Sequence, residues 1–109
     1  MTTITVFDDI SGVHQGFEFD GHAGMAEAGE DIVCAGLSTL AITIVNSIES
    51  LVLSEDEYEE LQSSKSGYIK LMLKKTNDET QLLIDSMLLG IRDMAREYPK
   101  YIRLISKEV

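Results

Sequence analysis

The sequence predicts an α+β fold of β-β-α-β-α-β order, with two long helices packed on one mostly antiparallel sheet. Three observations predict it. Apolar and polar residues alternate near the N-terminus, two helix-length apolar stripes follow at three- and four-residue spacing, and short alternating runs lie between and after the stripes. With 109 residues the chain has the size of a single domain, spanning 1–109.

The elements follow in order. Ile4 and Val6, then Val13, Gln15, Phe17 and Phe19, alternate with polar neighbours, the period-two signal of two half-buried strands. The turn-forming run Asp8 to Gly12 makes a hairpin the simplest connection between them. After Asp20 the alternation stops, and the glycine-rich segment Gly21 to Gly29 reads as a flexible loop. A helix is expected to begin near Glu30 or Asp31, with Asp31 as its N-cap, because Val33, Leu37, Leu40, Ile44 and Ile48 form one stripe. Residues 51 to 66 resist assignment. Ser54 to Glu57 resembles a capping box, either opening a short helix or belonging to a mobile acidic connection. Ile69, Leu71 and Leu73 give a third strand. A second helix is expected from about Asp78 to Tyr98, on the stripe Ile84, Leu88, Ile91, Ala95 and Tyr98, and Pro99 stops it. Leu82, Leu83, Met87 and Leu89 widen its apolar face enough to suit both a sheet and a second subunit. Tyr101 to Ile105 closes the chain as a fourth strand.

Composition excludes several classes. No run of eighteen or more uninterrupted apolar residues is present, and Met1-Thr2-Thr3-Ile4 lacks a basic region before an apolar one, so neither a membrane span nor a secretory signal is expected. The reading is a soluble cytoplasmic protein. The net charge of −10 is unevenly spread. Residues 1 to 64 carry 13 acids and no Lys or Arg, whereas residues 65 to 109 carry nine bases and six acids. The first half repels nucleic acid and suits a basic partner, unless it is merely a soluble acidic surface. There is no Cys-x-x-Cys pair, no His-Glu-x-x-His and no glycine-rich phosphate loop, so no metal and no cofactor is expected.

One constellation carries chemistry. His22 stands in the glycine loop, Cys34 is expected in the first turn of the following helix, and Ser38 lies one turn further on the same face. Unpaired N–H groups at a helix start favour a thiolate and a developing oxyanion, and an imidazole can shuttle the proton. The plainer alternatives stay open: Cys34 as an inert small hydrophobe, His22 as a loop hydrogen-bonder, Asp31 as a cap. Asp20, His22, Asp31 and Cys34 match no metal-ligand spacing. His14 reads as surface, on the polar face of its strand with Glu18 and Asp20. A thiol-redox role is weakened by the lack of a second cysteine.

Gly21-His22-Ala23, followed by Gly29-Glu30-Asp31-Ile32-Val33-Cys34-Ala35-Gly36-Leu37-Ser38, resembles the ribosomal-processing cysteine protease family called Prp. The likeness runs over nearly the whole chain, through Gly67-Tyr68-Ile69, Leu88-Leu89-Gly90-Ile91 and Tyr98-Pro99-Lys100-Tyr101-Ile102. Gly36-Leu37 departs mildly from the Ala-Val more usual in the family. The resemblance implies a single cysteine protease domain acting as a homodimer, without cofactor, nucleic acid or membrane. It implies removal of the short N-terminal extension of large-subunit ribosomal protein twenty-seven, a step needed for functional ribosomes. Cys34 matches the nucleophile and His22 the general base. Asp31 and Ser38 match supporting or substrate-binding positions, and Gly21 the hinge of a mobile cover. The acidic first half then has a use, steering a basic substrate to the site. The alternative is a non-catalytic acidic dimeric adaptor that binds a basic ribosomal protein and needs no reactive thiol.

Overall fold

In the computed structural model the described residues are 1–21, 28–63 and 67–109, and within the first helix side chains are described from Ile32 onward. The expected hairpin is present: β1 (Thr2–Asp8) pairs antiparallel with β2 (His14–Asp20), Ile4 opposite Phe19 and Val6 opposite Phe17. Asp9 makes the turn, its carboxylate accepting from the N–H groups of Ser11 and Val13 at 2.8 and 3.0 Å. Gly12 supplies the left-handed residue the turn requires, at φ +84°.

Helix α1 (Ala28–Ser47) begins earlier than expected and runs on into a π-helical turn at Ile48–Val52. Asp31 is therefore the fourth helical residue and not the N-cap. Of its expected stripe, Val33, Leu37, Ile44 and Ile48 are buried and Leu40 is partly buried against the core, with Ala41 and Val45 buried beside them. The segment Ile32–Val52 is long and apolar enough, by length and composition, to cross a membrane. Ser, Thr and Asn punctuate it, so it holds no uninterrupted apolar run of that length.

Helix α2 (Asp78–Glu97) opens on Asn77, whose side chain accepts from the Thr80 N–H at 2.9 Å while the Thr80 hydroxyl answers the Asn77 N–H. Ile84, Met87, Leu88 and Ile91 bury its inner face, and Leu83 packs against the same core. Of the residues that widen its apolar face, Leu83 and Met87 serve the core, while Leu82 and Leu89 stay exposed. Glycines let the two helices approach: a Cβ on Gly36 would meet Met94 at 3.1 Å, and one on Gly90 would meet Leu40 at 3.1 Å.

The sheet has five strands, one more than expected. The segment that resisted assignment holds a 3₁₀ turn at Glu55–Glu57, closed by the capping box of Ser54 and Glu57, and then β3 (Tyr58–Ser63). β3 pairs antiparallel with β4 (Tyr68–Leu73), β4 with β2, and β5 (Ile102–Glu108) lies parallel to β1, giving the order β3-β4-β2-β1-β5. With three of its four pairings antiparallel and two helices packed on it, this is the expected α+β class. The core lies between the helices and Ile4, Val6, Phe17, Phe19, Ile69 and Leu71, with Phe17 and Phe19 edge-to-face at 5.9 Å.

Candidate active site

Four elements meet where the sheet, α1 and the end of the glycine loop converge. Thr2 opens β1, its N–H donating to the Tyr101 carbonyl at 2.8 Å. Period two puts it on the inward face with Ile4 and Val6, so it is a hydroxyl at the rim of the core, only 4% exposed. Its Oγ1 lies 3.5 Å from Sγ of Cys34, the single cysteine, half-buried on α1. A threonine hydroxyl can donate to a sulfur that carries negative charge.

Gly21 leaves the end of β2 beside the same hydroxyl. A Cβ on Gly21 would stand 3.1 Å from Thr2 Oγ1 and 3.7 Å from the Gly67 carbonyl oxygen. The Gly21 N–H donates to that carbonyl at 3.3 Å, and Gly67 holds the left-handed backbone (φ +64°) that a glycine tolerates without strain. One residue on, the Tyr68 hydroxyl donates to the Glu18 carboxylate at 2.5 Å. That bond, followed by burial, pushes the phenol up to about 12. It ties the start of β4 to β2 on the face of the sheet turned away from the helices.

Of the residues singled out from the sequence, Cys34 and Gly21 come together through Thr2. Ser38 is exposed one turn beyond Cys34. His22 lies outside the described residues, as does the side chain of Asp31. The expected helix-end environment of Cys34 is corrected. With α1 starting at Ala28, Cys34 is its seventh residue, past the four whose N–H groups lack helical partners. Its own N–H belongs to the helical ladder and is not free to hold an oxyanion. Sequence reasoning missed Thr2. The available signal was a polar residue in phase with an apolar inward row. His14 is corrected as well: its mostly buried ring joins Asp8 and Asp85 and is not a surface group beside Glu18 and Asp20. Among the described residues no group of three or more His, Cys, Asp or Glu side chains is arranged to hold a metal ion.

One turn along α1 from Cys34 a groove of about 170 Å³ opens between the helix and the β3–β4 hairpin. Ser38 and Ile42 line its helical wall, Gln62 and Ile69 its floor, and Gly67 its end nearest Gly21. A thiol one helical turn from such a groove is an arrangement that suits acyl transfer from a peptide.

The comparisons agree with that chemistry. A family model described as cysteine protease Prp matches residues 1–103. The chain is similar to the ribosomal processing cysteine protease Prp of Staphylococcus aureus strain Mu50, 36% identical over 86 residues that cover 78% of this chain and 79% of that one. Among solved structures it is similar to an essential ribosomal processing protease Prp from S. aureus in complex with a substrate peptide. The TM-score is 0.89 at 31% identity, covering 98% of this chain and 100% of that one. It is also similar to that protease in complex with a covalently linked product peptide, with a TM-score of 0.85, 31% identity and the same coverage.

Proposed function

This chain belongs to the Prp family of cysteine proteases, and on that premise we propose that it removes the short N-terminal extension of large-subunit ribosomal protein twenty-seven. One observation carries the reading down to a residue. A cysteine protease needs a thiolate, and Cys34 is the only thiol in the chain. His22 takes its proton, the sulfur attacks the scissile carbonyl, and the C–N bond breaks as His22 returns the proton to the leaving amine. Water then attacks the thioester, releasing the acid and restoring the thiol.

Gly21 supports the assignment of His22, since the chain passes to that histidine from a glycine packed against the hydroxyl that touches Cys34. Asp31 and Ser38 are supporting residues, Ser38 on the groove wall. The enzyme works as a cytoplasmic homodimer without cofactor, nucleic acid or membrane. Its substrate is the extension of a basic ribosomal protein, and its product serves ribosome assembly.

The test is cleavage read by mass spectrometry. A peptide spanning the extension junction is incubated with wild type, Cys34→Ala and His22→Ala under reducing conditions. One specific cut by wild type and none by either variant is expected. An intact peptide with wild type, or cleavage that survives Cys34→Ala, overturns the reading in favour of a binding adaptor or another protease chemistry.

A further inference from the structure

Strand β3 contributes little to the core. Across the antiparallel β3–β4 pair, Gln62 stands opposite Ile69 and Glu60 opposite Leu71, so each pair points to one face of the sheet. Ile69 and Leu71 are buried on that face, yet Gln62 and Glu60 are exposed. The helical layer therefore covers β4 and reaches β3 at Tyr58 and through the Glu49–Glu60 pair, leaving the strand as a ledge from there to Gln62. An uncovered edge strand is a liability unless something uses it.

The wall above the ledge is uncharged. No charged residue occurs between Asp31 and Glu49. Ser38 and Ile42 are its two helical lining residues, and on the neighbouring row of α1 the hydroxyls of Thr39, Thr43 and Ser47 bond back to carbonyls four residues earlier, at 2.9, 2.7 and 2.7 Å. Ile42 is 41% exposed at the groove. Covering this wall strips water from apolar surface and from no charge.

Resting on the assignment of Cys34 as nucleophile, we propose that the substrate lies along this ledge and seats one bulky apolar side chain between Ile42 and Gln62. These two residues then set specificity. The groove's volume of about 170 Å³ is close to the roughly 150 Å³ of an apolar cavity that holds one benzene ring. It has room for one ring or branched side chain. Ser38, on its wall, is four residues from Cys34, about 6 Å along the helix. An extended peptide advances about 3.3–3.6 Å per residue, so the seated side chain belongs to a residue within about two of the scissile bond.

The experiment uses the junction peptide and a set in which each apolar residue is replaced singly by alanine. With wild type, one position within about two residues of the cut is expected to raise KM about tenfold when truncated. Ile42→Trp fills the groove and is expected to lower kcat/KM for the parent peptide about tenfold. In that variant the same alanine peptide loses less than about twofold further, because the contact is already gone. Ile42→Ala, which only enlarges the groove, should raise KM at that position alone. Equal rates of iodoacetamide alkylation of Cys34 in all three proteins show the nucleophile unchanged. Unaltered KM in both variants overturns the proposal and leaves the protease reading standing. A changed oligomeric mass in Ile42→Trp also overturns it, assigning the ledge to a second copy. Failure of wild type to cleave the parent peptide overturns both.

Discussion

A Cβ added at Gly21 would stand 3.1 Å from the hydroxyl oxygen of Thr2, which itself lies 3.5 Å from the Cys34 sulfur. A side chain at position 21 therefore crowds the hydroxyl within hydrogen-bond reach of the thiol. Gly21 lies outside the left-handed region, so alanine brings crowding without backbone strain. Gly21→Ala is expected to lower kcat/KM about tenfold while shifting the thermal midpoint by less than about 4 °C, the shift that about 1 kcal/mol produces in a domain of this size. Unchanged cleavage by Gly21→Ala would show that the packing has no bearing on the thiol.

Thr2 itself separates hydroxyl from shape. Thr2→Val keeps the branched side chain and leaves the backbone bond to Tyr101 in place, while Thr2→Ser keeps the donor. A hydrogen bond to a charged group contributes about 1.5–3 kcal/mol. Thr2→Val should therefore slow both cleavage and iodoacetamide alkylation about tenfold or more, with Thr2→Ser close to wild type. Equal alkylation rates for the two variants would sink the role of the hydroxyl.

The charge distribution makes a kinetic prediction. With 13 acids and no Lys or Arg in residues 1 to 64, a basic substrate is drawn toward the half of the chain that holds Cys34. Raising the salt from about 0.1 M to about 1 M shortens the screening length from about 10 Å to about 3 Å. Cleavage at substrate concentrations below KM should then slow several-fold while kcat stays constant. A rate indifferent to salt removes steering from the account.

The extent to which the fold could be read follows from where burial sets the pattern. β1, β2 and β4 alternate because one face of each meets the core, and α2 is bounded by a stripe and by Pro99. β3 could not be read, because Tyr58-Glu59-Glu60-Leu61-Gln62-Ser63 has no inward apolar row and is extended by pairing with β4 alone. The start of α1 was misplaced because Gly29 and Asp31 resemble a loop and a cap, yet both are helical. At the site the thiol was legible as the only cysteine. Thr2 was not, since a threonine in a strand reads as a β-former. The ledge shared the fate of β3: groove residues such as Gln62 gain meaning only once the strand is placed.

His14 bridges two carboxylates, Nδ1 at 2.5 Å from Asp8 and Nε2 at 2.7 Å from Asp85. Its backbone and the Gln81 side chain exchange bonds at 2.8 and 2.9 Å, and Asp8 also receives Ser106 from β5 at 3.2 Å. Both ring nitrogens face acceptors, which suits the doubly protonated ring. Burial pulls the imidazole down, but the hydrogen bonds and charges of Asp8 and Asp85 outweigh it and hold the ring above its usual 6.5. A base raised in the folded state stabilises fully below its unfolded value and loses that contribution as pH rises through the folded one. Denaturation midpoints of wild type should fall as the pH rises above the unfolded histidine value of 6.5, and those of His14→Asn should fall less. Parallel curves for the two proteins would count against the clamp.

Glu49 works in the same pH direction through opposite chemistry, which allows the two to be separated. On the π-helical turn after α1, burial, then hydrogen bonding to Glu60 and its charge, push the Glu49 carboxyl from 4.5 to about 7. Its Oε2 is buried without a hydrogen-bond partner among the described residues. An acid raised in the folded state holds a proton that the unfolded chain releases near pH 4.5, so stability declines as pH climbs from there through about 7. Glu49→Gln keeps the shape, removes the charge and can still donate to Glu60. After allowance for solvent screening of a partly exposed pair, the gain near pH 8 should be on the order of 1 kcal/mol. Near pH 4, where wild type is protonated in both states, the variant and wild type should match. His14→Asn acts the other way, removing stability on the acid side and changing little on the alkaline side. A double variant should therefore show the flattest profile of the set. If Glu49→Gln gains nothing at alkaline pH, Glu49 and Glu60 do not share a proton in the folded protein.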